Sequence, residues 1–171
     1  MARYRIVPDR SRVYIDARSS LHPIHTETDG LDGWLELEVE PAGRVDLAAA
    51  PAGHLELAVS RLSSGNPLED RELRRRIDAR RFPVISGDLA VMKDADNDGT
   101  YLVGGDLTFR GVTRRYEDRM HVEVLDEGAL RLSGQATFDV RDFRMEPPRI
   151  LMFKVEPNVA VRVDIVAERQ N

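Results

Sequence analysis

No cysteine occurs among the 171 residues, so disulfides and thiolate chemistry are excluded. No apolar stretch approaches the length needed to span a bilayer, and the opening MARYRIVPDR lacks the apolar core of a secretory signal. The expectation is a cytoplasmic protein without stable membrane insertion. A basic surplus is also missing. The 25 lysines and arginines face 30 aspartates and glutamates, a net charge of −5, which argues against a general nucleic-acid binder. Catalytic and cofactor signatures are equally scarce. There is no H-E-x-x-H spacing, no G-x-S-x-G elbow around Ser19, Ser20, Ser63 or Ser64, and no phosphate loop or dinucleotide fingerprint. No metal, no cofactor and no enzymatic activity are therefore expected. Aromatics make up only 6%, with one Trp, and Trp34 and the phenylalanines are expected mainly in the core.

What is present is a globular composition, 42% hydrophobic, read as one domain over residues 1–171 without repeats or linkers. Most segments alternate apolar and polar residues with period two, the mark of a strand with one buried and one wet face. Val13, Ile15 and Ala17 form one such face; Leu35, Leu37 and Val39 another; then Leu55, Leu57 and Val59, and Ile85, Leu89 and Val91. Tyr101, Val103, Leu107 and Phe109 follow, then Met120, Val122 and Val124, then Leu130, Leu132, Ala136 and Phe138, and finally Val159, Val161, Val163 and Ile165. These eight strands suit an antiparallel sheet closed into a barrel, which removes exposed edges. Such a barrel is either filled by its own side chains or holds one small apolar guest. Gly87, Gly105, Gly134 and Ala136 favour internal space, whereas Phe109, Phe138, Phe143 and Phe153 could fill it. One helix is expected over about 66–80, with Asn66 as N-cap, Pro67 at the first helical position, Glu69 at capping-box spacing, and Leu73 and Ile77 on one face. Residues 141–157 combine Pro147 and Pro148 with the apolar run Ile150, Leu151, Met152 and Phe153, and are expected to form a lid over one end. PAGRVDLAAAPAG, residues 41–53, reads as a loop within the domain.

Three other patterns carry possible chemistry. Asp94, Asp96, Asp98 and Gly99 open like a calcium loop, but the twelfth position holds Gly105 instead of Glu and the flanks are strands, so a solvated hairpin turn is expected. His22 and His25 are three apart, and the other histidines, His54 and His121, are isolated in other strands, which points to a loop or barrel-rim role. Arg71, Arg74, Arg75, Arg76, Arg80 and Arg81 share their helix with Glu69, Asp70, Glu72 and Asp78 and have only Phe82 as an aromatic neighbour, as expected of a solvated face. Asp142 is expected to pair locally with Arg141 or Arg144, or to cap the turn there.

The segment GGDLTFRGVTRRY, residues 104–116, resembles the "v-x-G-D-L-T-I-R-G-V-T-K" hairpin of the YceI-like, polyisoprenoid-binding, lipocalin-like proteins. EDRELRRRIDARRFPVISG is similar to that family's segment around its helix, retaining Leu73, Arg74, Phe82, Pro83 and Ile85, and ATFDVRDFRM retains Arg141, Asp142 and Phe143. The early "H-S-x-i-x-F" reads SRVYID here, and Arg144 replaces the glycine of "R-D-F-G". The resemblance, over about residues 4–168, implies an eight-stranded lipocalin-like barrel enclosing a polyisoprenoid, isoprenoid quinone or fatty-acyl chain, and a homodimer. The residues expected to meet that chain are Val13, Ile15, Leu35, Leu37, Leu57, Leu89, Leu107, Phe109, Leu132, Phe138, Phe143, Met152, Phe153, Val161 and Val163. A self-filled structural barrel and, third, a barrel enzyme acting on an apolar small molecule are the alternatives.

Overall fold

The computed structural model describes residues 1–96, 98–150 and 153–171, without the side chains of Glu127, Ile150 and Phe153. In chain order the strands are β1 (Ala2–Ile6), β2 (Arg12–Arg18), β3 (Pro23–Thr28), β4 (Asp32–Leu37), β5 (Ala52–Ala58), β6 (Val84–Asp94), β7 (Thr100–Phe109), β8 (Val112–Val124), β9 (Leu130–Asp139), β10 (Arg149–Ile150), β11 (Phe153–Lys154) and β12 (Asn158–Arg169). The order β1-β4-β5-β6-β7-β8-β9-β12, closed by β1 against β12, makes an eight-stranded antiparallel barrel. β2 and β3 extend it, since β2 pairs with β12 where β1 has left it, and β3 pairs with β2. Pro8, which has no N–H to give a ladder, starts the 3₁₀ turn that separates β1 from β2. Ser11, fully buried after that turn, donates to the carbonyl of Val7 at 2.8 Å and accepts from the N–H of Val166 at 3.1 Å, so the break leaves no polar group stranded.

The helix α1 (Pro67–Ile77) starts as its sequence dictates, with Asn66 Oδ1 accepting from the N–H groups of Leu68 and Glu69. Glu69 does not complete a capping box; the N–H of Asn66 donates to Ser64 Oγ instead. Asp78, at φ +59, ends the helix. Its exposed face pairs acids with arginines: Glu72 accepts from both Arg75 and Arg76, whose guanidinium groups hold its carboxyl down at about 2. The hairpin between β7 and β8 turns on Arg110 (φ +54) and Gly111 (φ +72), the two positive φ values of a type I′ turn. A Cβ on Gly111 would lie 2.7 Å from the ring of Phe82, so this position has neither the backbone nor the space for another residue. The aspartate-rich stretch is the turn between β6 and β7, with Gly99 at φ +91 and Asp98 accepting from the N–H of Thr100 at 3.0 Å; Asp94 and Asp96 pair with Arg44 and Arg119.

The barrel interior is divided along its length. At the end formed by β1, β4 and the later half of β12, Tyr4, Ile6, Leu37, Tyr101, Leu130, Ile165 and Ala167 are all buried and pack against one another. The 41–53 loop caps this end, and the N–H of Val45, itself buried, donates to the Tyr101 hydroxyl at 2.9 Å. At the opposite end Ile15, Ile24, Leu55, Ile85, Leu107, Phe109 and Phe138 keep part of their surface accessible, although they point inward in the same alternation. Space therefore remains at this end.

Candidate ligand cavity

That space is a cavity of about 390 Å³, within the range of small-molecule sites. Its wall comes from the inward faces of the strands. Val13, Ile15 and Ala17 of β2 stand beside Ile24 and Thr26 of β3, and Val159, Val161 and Val163 of β12 lie on their other side. Leu55 of β5, Gly87 of β6 and Leu107 of β7 are cross-strand neighbours in one row. Gly87 is what keeps that row hollow: a Cβ built there has nothing nearer than the carbonyl of Asp106 at 4.0 Å. The row closer to the packed end is filled. A Cβ on Gly53 would strike Leu35 at 2.8 Å and meet Leu89 at 3.7 Å, so these leucines form a floor between the two halves.

Two further segments cover the cavity. Helix α1 contributes Leu73 and Ile77, on the same face as expected from their spacing, together with Glu69 and Asp70 one turn earlier. Residues 140–156 contribute Val140, Phe143, Met145, Pro148 and Val155. This second cover is tied to the end of β2 through main-chain bonds from Ser20 N to Lys154 O and from Glu156 N to Arg18 O, at 2.9 and 2.7 Å. One side chain holds both covers. Arg110 Nε donates to the carbonyl of Arg76 in the last turn of α1 at 3.0 Å, and its Nη1 donates to the carbonyl of Arg144. The planar guanidinium suits this, because it offers several donors at fixed angles.

A polar–aromatic cluster seals the flank. β8 pairs with β9 only from Met120–Gly134 to Val124–Leu130; beyond that the strands part. Tyr116 of β8 reaches across, edge-on to Phe138 of β9 at 4.6 Å and stacked on Phe143 at 5.9 Å, while Phe143 also meets Phe109 edge-on at 5.5 Å. The Tyr116 hydroxyl donates to Asp142 Oδ2 at 2.9 Å, and burial, reinforced by that carboxylate, pushes its pKa up to about 12. Asp142 thus pairs with a tyrosine from another strand and not with Arg141 or Arg144. It is Asp139 that caps the turn, accepting from the N–H of Arg141 at 2.9 Å and pairing with its guanidinium.

Of the residues expected to meet a ligand, Val13, Ile15, Leu57, Leu107, Phe109, Phe138, Phe143, Val161 and Val163 line the cavity. Leu35, Leu37 and Leu132 lie in the packed half, and Leu89 sits at the floor, where β6 slips register between Leu89 and Val91; none of the four lines the cavity. Met152 lies outside the described residues, and the side chain of Phe153 does too. Leu55, Ile85, Leu73 and Ile77 join the lining although they were not expected as ligand contacts; the first two share a face with Leu57 and Leu89, and the others form the helix pair. Ile24 and Thr26 carried no signal, since β3 turns two threonines inward. Trp34, expected in the core, is on the outer face beneath the Arg3 guanidinium, 4.6 Å from the ring centre. His22 is in the loop before β3, and His25 lies on the outer face of β3 paired with Asp16. Among the described residues no group of three or more potential ligands gathers around a metal position, and no helix is long and apolar enough to cross a membrane.

An antiparallel barrel packed at one end, with an apolar chamber at the other under a helix and a connecting segment, is a lipocalin-like architecture. The sequence narrows this further: the YceI-like domain matches residues 4–167, and the chain belongs to that family. Among solved structures it is similar to Burkholderia cenocepacia BcnA (14% identity, 94% of this chain and 98% of that one, TM-score 0.76). It is also similar to a polyisoprenoid binding domain from Saccharophagus degradans implicated in plant cell wall breakdown (13% identity, 98% of each chain, TM-score 0.74). A third is the YceI protein of Campylobacter jejuni (14% identity, 82% of each chain, TM-score 0.63). At these identities the likeness is one of fold. Among curated proteins none matches the sequence.

Proposed function

We propose that the protein binds an elongated apolar molecule, a polyisoprenoid, isoprenoid quinone or fatty-acyl chain, in its half-hollow barrel and thereby carries or sequesters it. The observation that carries this reading is the apolar cavity of about 390 Å³ in a barrel whose other half is fully packed. An empty apolar space of that size forfeits the contacts its lining atoms would otherwise make, and a guest restores them. The family's polyisoprenoid-binding member from Saccharophagus supports the same class of ligand. Binding is favoured over catalysis because, among the described lining residues, no serine meets a histidine: Ser64 Oγ donates at 2.8 Å to Asp70, a carboxylate that also accepts from Ser64 N and Ser63 Oγ, and no histidine lines the chamber. The homodimer that the family implies belongs to this proposal, and light scattering behind size-exclusion chromatography tests it.

Gly87 supplies the decisive experiment. Gly87→Leu places a side chain in the empty row between Leu55 and Leu107, where a Cβ clashes with nothing. Uptake of a fluorescent prenyl or fatty-acyl probe should be lost while the urea midpoint holds or rises, because filling an apolar void stabilises. Solvent extraction of gently purified wild-type protein should release a lipid-like species that the variant lacks. Unchanged probe uptake by a folded Gly87→Leu protein would count against the cavity as the binding site.

A further inference from the structure

Strand β8 has a free edge along half its length. It pairs with β7 from Val112 to His121, but with β9 only from Met120 onward. The turn fixes which groups that edge offers. In a two-residue hairpin Phe109 and Val112 form the closing hydrogen-bonded pair, so by alternation Thr113, Arg115 and Glu117 turn their N–H and C=O groups away from β7. Among the described residues no other strand takes these groups up; the Thr113 carbonyl meets only Arg114 Nη1 of its own strand, at 3.3 Å. Residues 113–115 and 117–119 are exposed on both faces of the strand, with Tyr116 half-buried between them. A groove of about 190 Å³ lies beside this edge, between Asp118 and the residues Gln135, Thr137, Ala160 and Arg162 of β9 and β12. An edge of this kind is an open template for another strand.

Along the edge the sequence runs Arg114, Arg115, Tyr116, Glu117, Asp118, basic before the tyrosine and acidic after it. Charges on an edge ordinarily deter pairing. This order does the opposite for one partner, a second copy of the same strand. When the two lie antiparallel with Tyr116 facing Tyr116, Arg115 faces Glu117 of the second copy and Arg114 faces its Asp118, and the two-fold axis repeats both pairs. Arg115 and Glu117 stand on one face of the sheet, Arg114 and Asp118 on the other. Moving the centre of pairing to Arg115 or to Glu117 sets that residue against its own charge, so the sequence favours one register. Within one chain these charges are only partly used. Arg115 pairs with Asp106 at 2.7 Å, whereas Arg114, Glu117 and Asp118 form no ion pair among the described residues. Resting on the homodimer reading above, and naming its surface, we infer that two copies join through the free edge of β8 about a two-fold axis at Tyr116. Arg115 and Glu117 exchange main-chain bonds across the axis, one sheet runs β7-β8-β8-β7 through both copies, and Arg114 of the second copy enters the groove beside Asp118.

The test reverses charge at exposed positions. Glu117→Arg with Asp118→Arg makes the edge wholly basic, and Arg114→Glu with Arg115→Glu makes it wholly acidic. Each double variant should raise the dimer dissociation constant at least about tenfold, read by light scattering behind size-exclusion chromatography, with its circular dichroism unchanged. Mixed in equal amounts, the two should pair with each other, and native mass spectrometry should find the mixed dimer in excess of either homodimer. Tyr116→Cys gives a second reading without any change of charge. The chain has no cysteine, so the new thiol is the only one, and facing residues of a non-hydrogen-bonded pair lie within disulfide reach. Mild oxidation should cross-link Tyr116→Cys across the axis and leave Arg119→Cys, three residues from it, uncross-linked. If both charge variants stay as dimeric as the wild type, or Tyr116→Cys does not cross-link, this edge is not the interface and the inference is overturned. A monomeric wild type defeats the homodimer reading itself, a result distinct from a dimer that ignores these changes.

Discussion

Arg110 offers the sharpest check on how the hollow end is held together. Replacing it by alanine deletes the donor pair to the carbonyls of Arg76 and Arg144 but leaves the turn unaltered, since both residues carry a Cβ at the same φ of +54. A hydrogen bond from a charged donor contributes roughly 1.5–3 kcal/mol. One of the two bonds is partly buried and the other is exposed, so the exposed one is discounted and the sum is about 2–3 kcal/mol. In a chain of 171 residues about 1 kcal/mol moves the melting temperature by roughly 2–4 °C, which makes the expected fall about 4–12 °C. Arg110→Lys should fall between, because an ammonium cannot match the planar fork that serves two carbonyls. Urea unfolding measures the energy, and hydrogen exchange shows where it is lost. Amides of 70–82 and 140–148 should exchange faster, with β7 and β8 little changed, because both covers detach while the hairpin stays paired. A loss below about 0.5 kcal/mol with unchanged exchange in both covers would falsify the idea that Arg110 ties them down.

Three other outcomes follow from local geometry. Gly111→Ala should cost distinctly more than Gly128→Ala in urea denaturation: both positions have positive φ, +72 and +79, but only at Gly111 does the new Cβ meet a ring, whereas around Gly128 nothing lies within 4 Å. The Gly128 change alone is worth about 1 kcal/mol, and equal losses would mean that Phe82 simply moves aside. Arg144→Gly should stabilise the protein by roughly 0.5–1 kcal/mol, because Arg144 is exposed at φ +57 and its carbonyl, which Arg110 uses, is retained; a lower urea midpoint would refute this. His54 has its pKa raised, chiefly by its hydrogen bond to Asp88 at 2.7 Å and secondarily by Glu56, against the opposing effect of burial. Its contribution to stability is therefore complete below the ordinary value of 6.5 and is lost as pH rises through the folded value, so the urea midpoint should decline on going alkaline, and Asp88→Asn should flatten the decline. NMR titration of the His54 ring gives the independent reading, a midpoint above that of the Asp88→Asn protein.

The barrel and its helix were legible in the sequence for simple reasons. Period-two alternation marks strands whichever element they pair with, and Asn66, Pro67, Leu73 and Ile77 specify a helix by chemistry that acts within a few residues. What escaped depends on distance. The segment PIHTET turns Ile24, Thr26 and Thr28 inward, so its alternation is one of shape more than hydropathy, and it reads as a loop. ARYRI does alternate, with Ala2, Tyr4 and Ile6 buried, but five residues at a chain end say little until β12 is seen beside them. The division of the barrel was invisible for a related reason. Leu35, Leu37 and Leu132 obey the same pattern as Leu55, Leu57 and Leu107; which set borders empty space depends on whether the facing neighbour is Tyr101 or Gly87. Aromatic rings occur in both halves, Tyr4 and Tyr101 in the packed one and Phe109, Phe138 and Phe143 around the cavity, so ring content alone does not tell the halves apart. Asp142 illustrates the limit most plainly: its partner Tyr116 is 26 positions away, and adjacent arginines were the only candidates in view.

Strand β12 pairs with β1, β2 and β9, and this sets an order of events during synthesis. While residues 158–169 are still being translated or sit in the exit tunnel, β1 and β2 lack the neighbour that closes the ring, and β9 is held only by its five-residue pairing with β8, Met120–Val124. The β4-β5-β6-β7-β8 meander can assemble as the chain emerges, since each of its strands follows its partner closely. On either side β1 can pair with β4 and β9 with β8, but the ring stays open. Until residues 158–169 emerge, the nascent chain is therefore an open, curved sheet with two unsatisfied edges and an apolar concave face, a state exposed to aggregation and in need of chaperone protection. Ring closure by one late strand then converts that sheet to the finished barrel in a single long-range step.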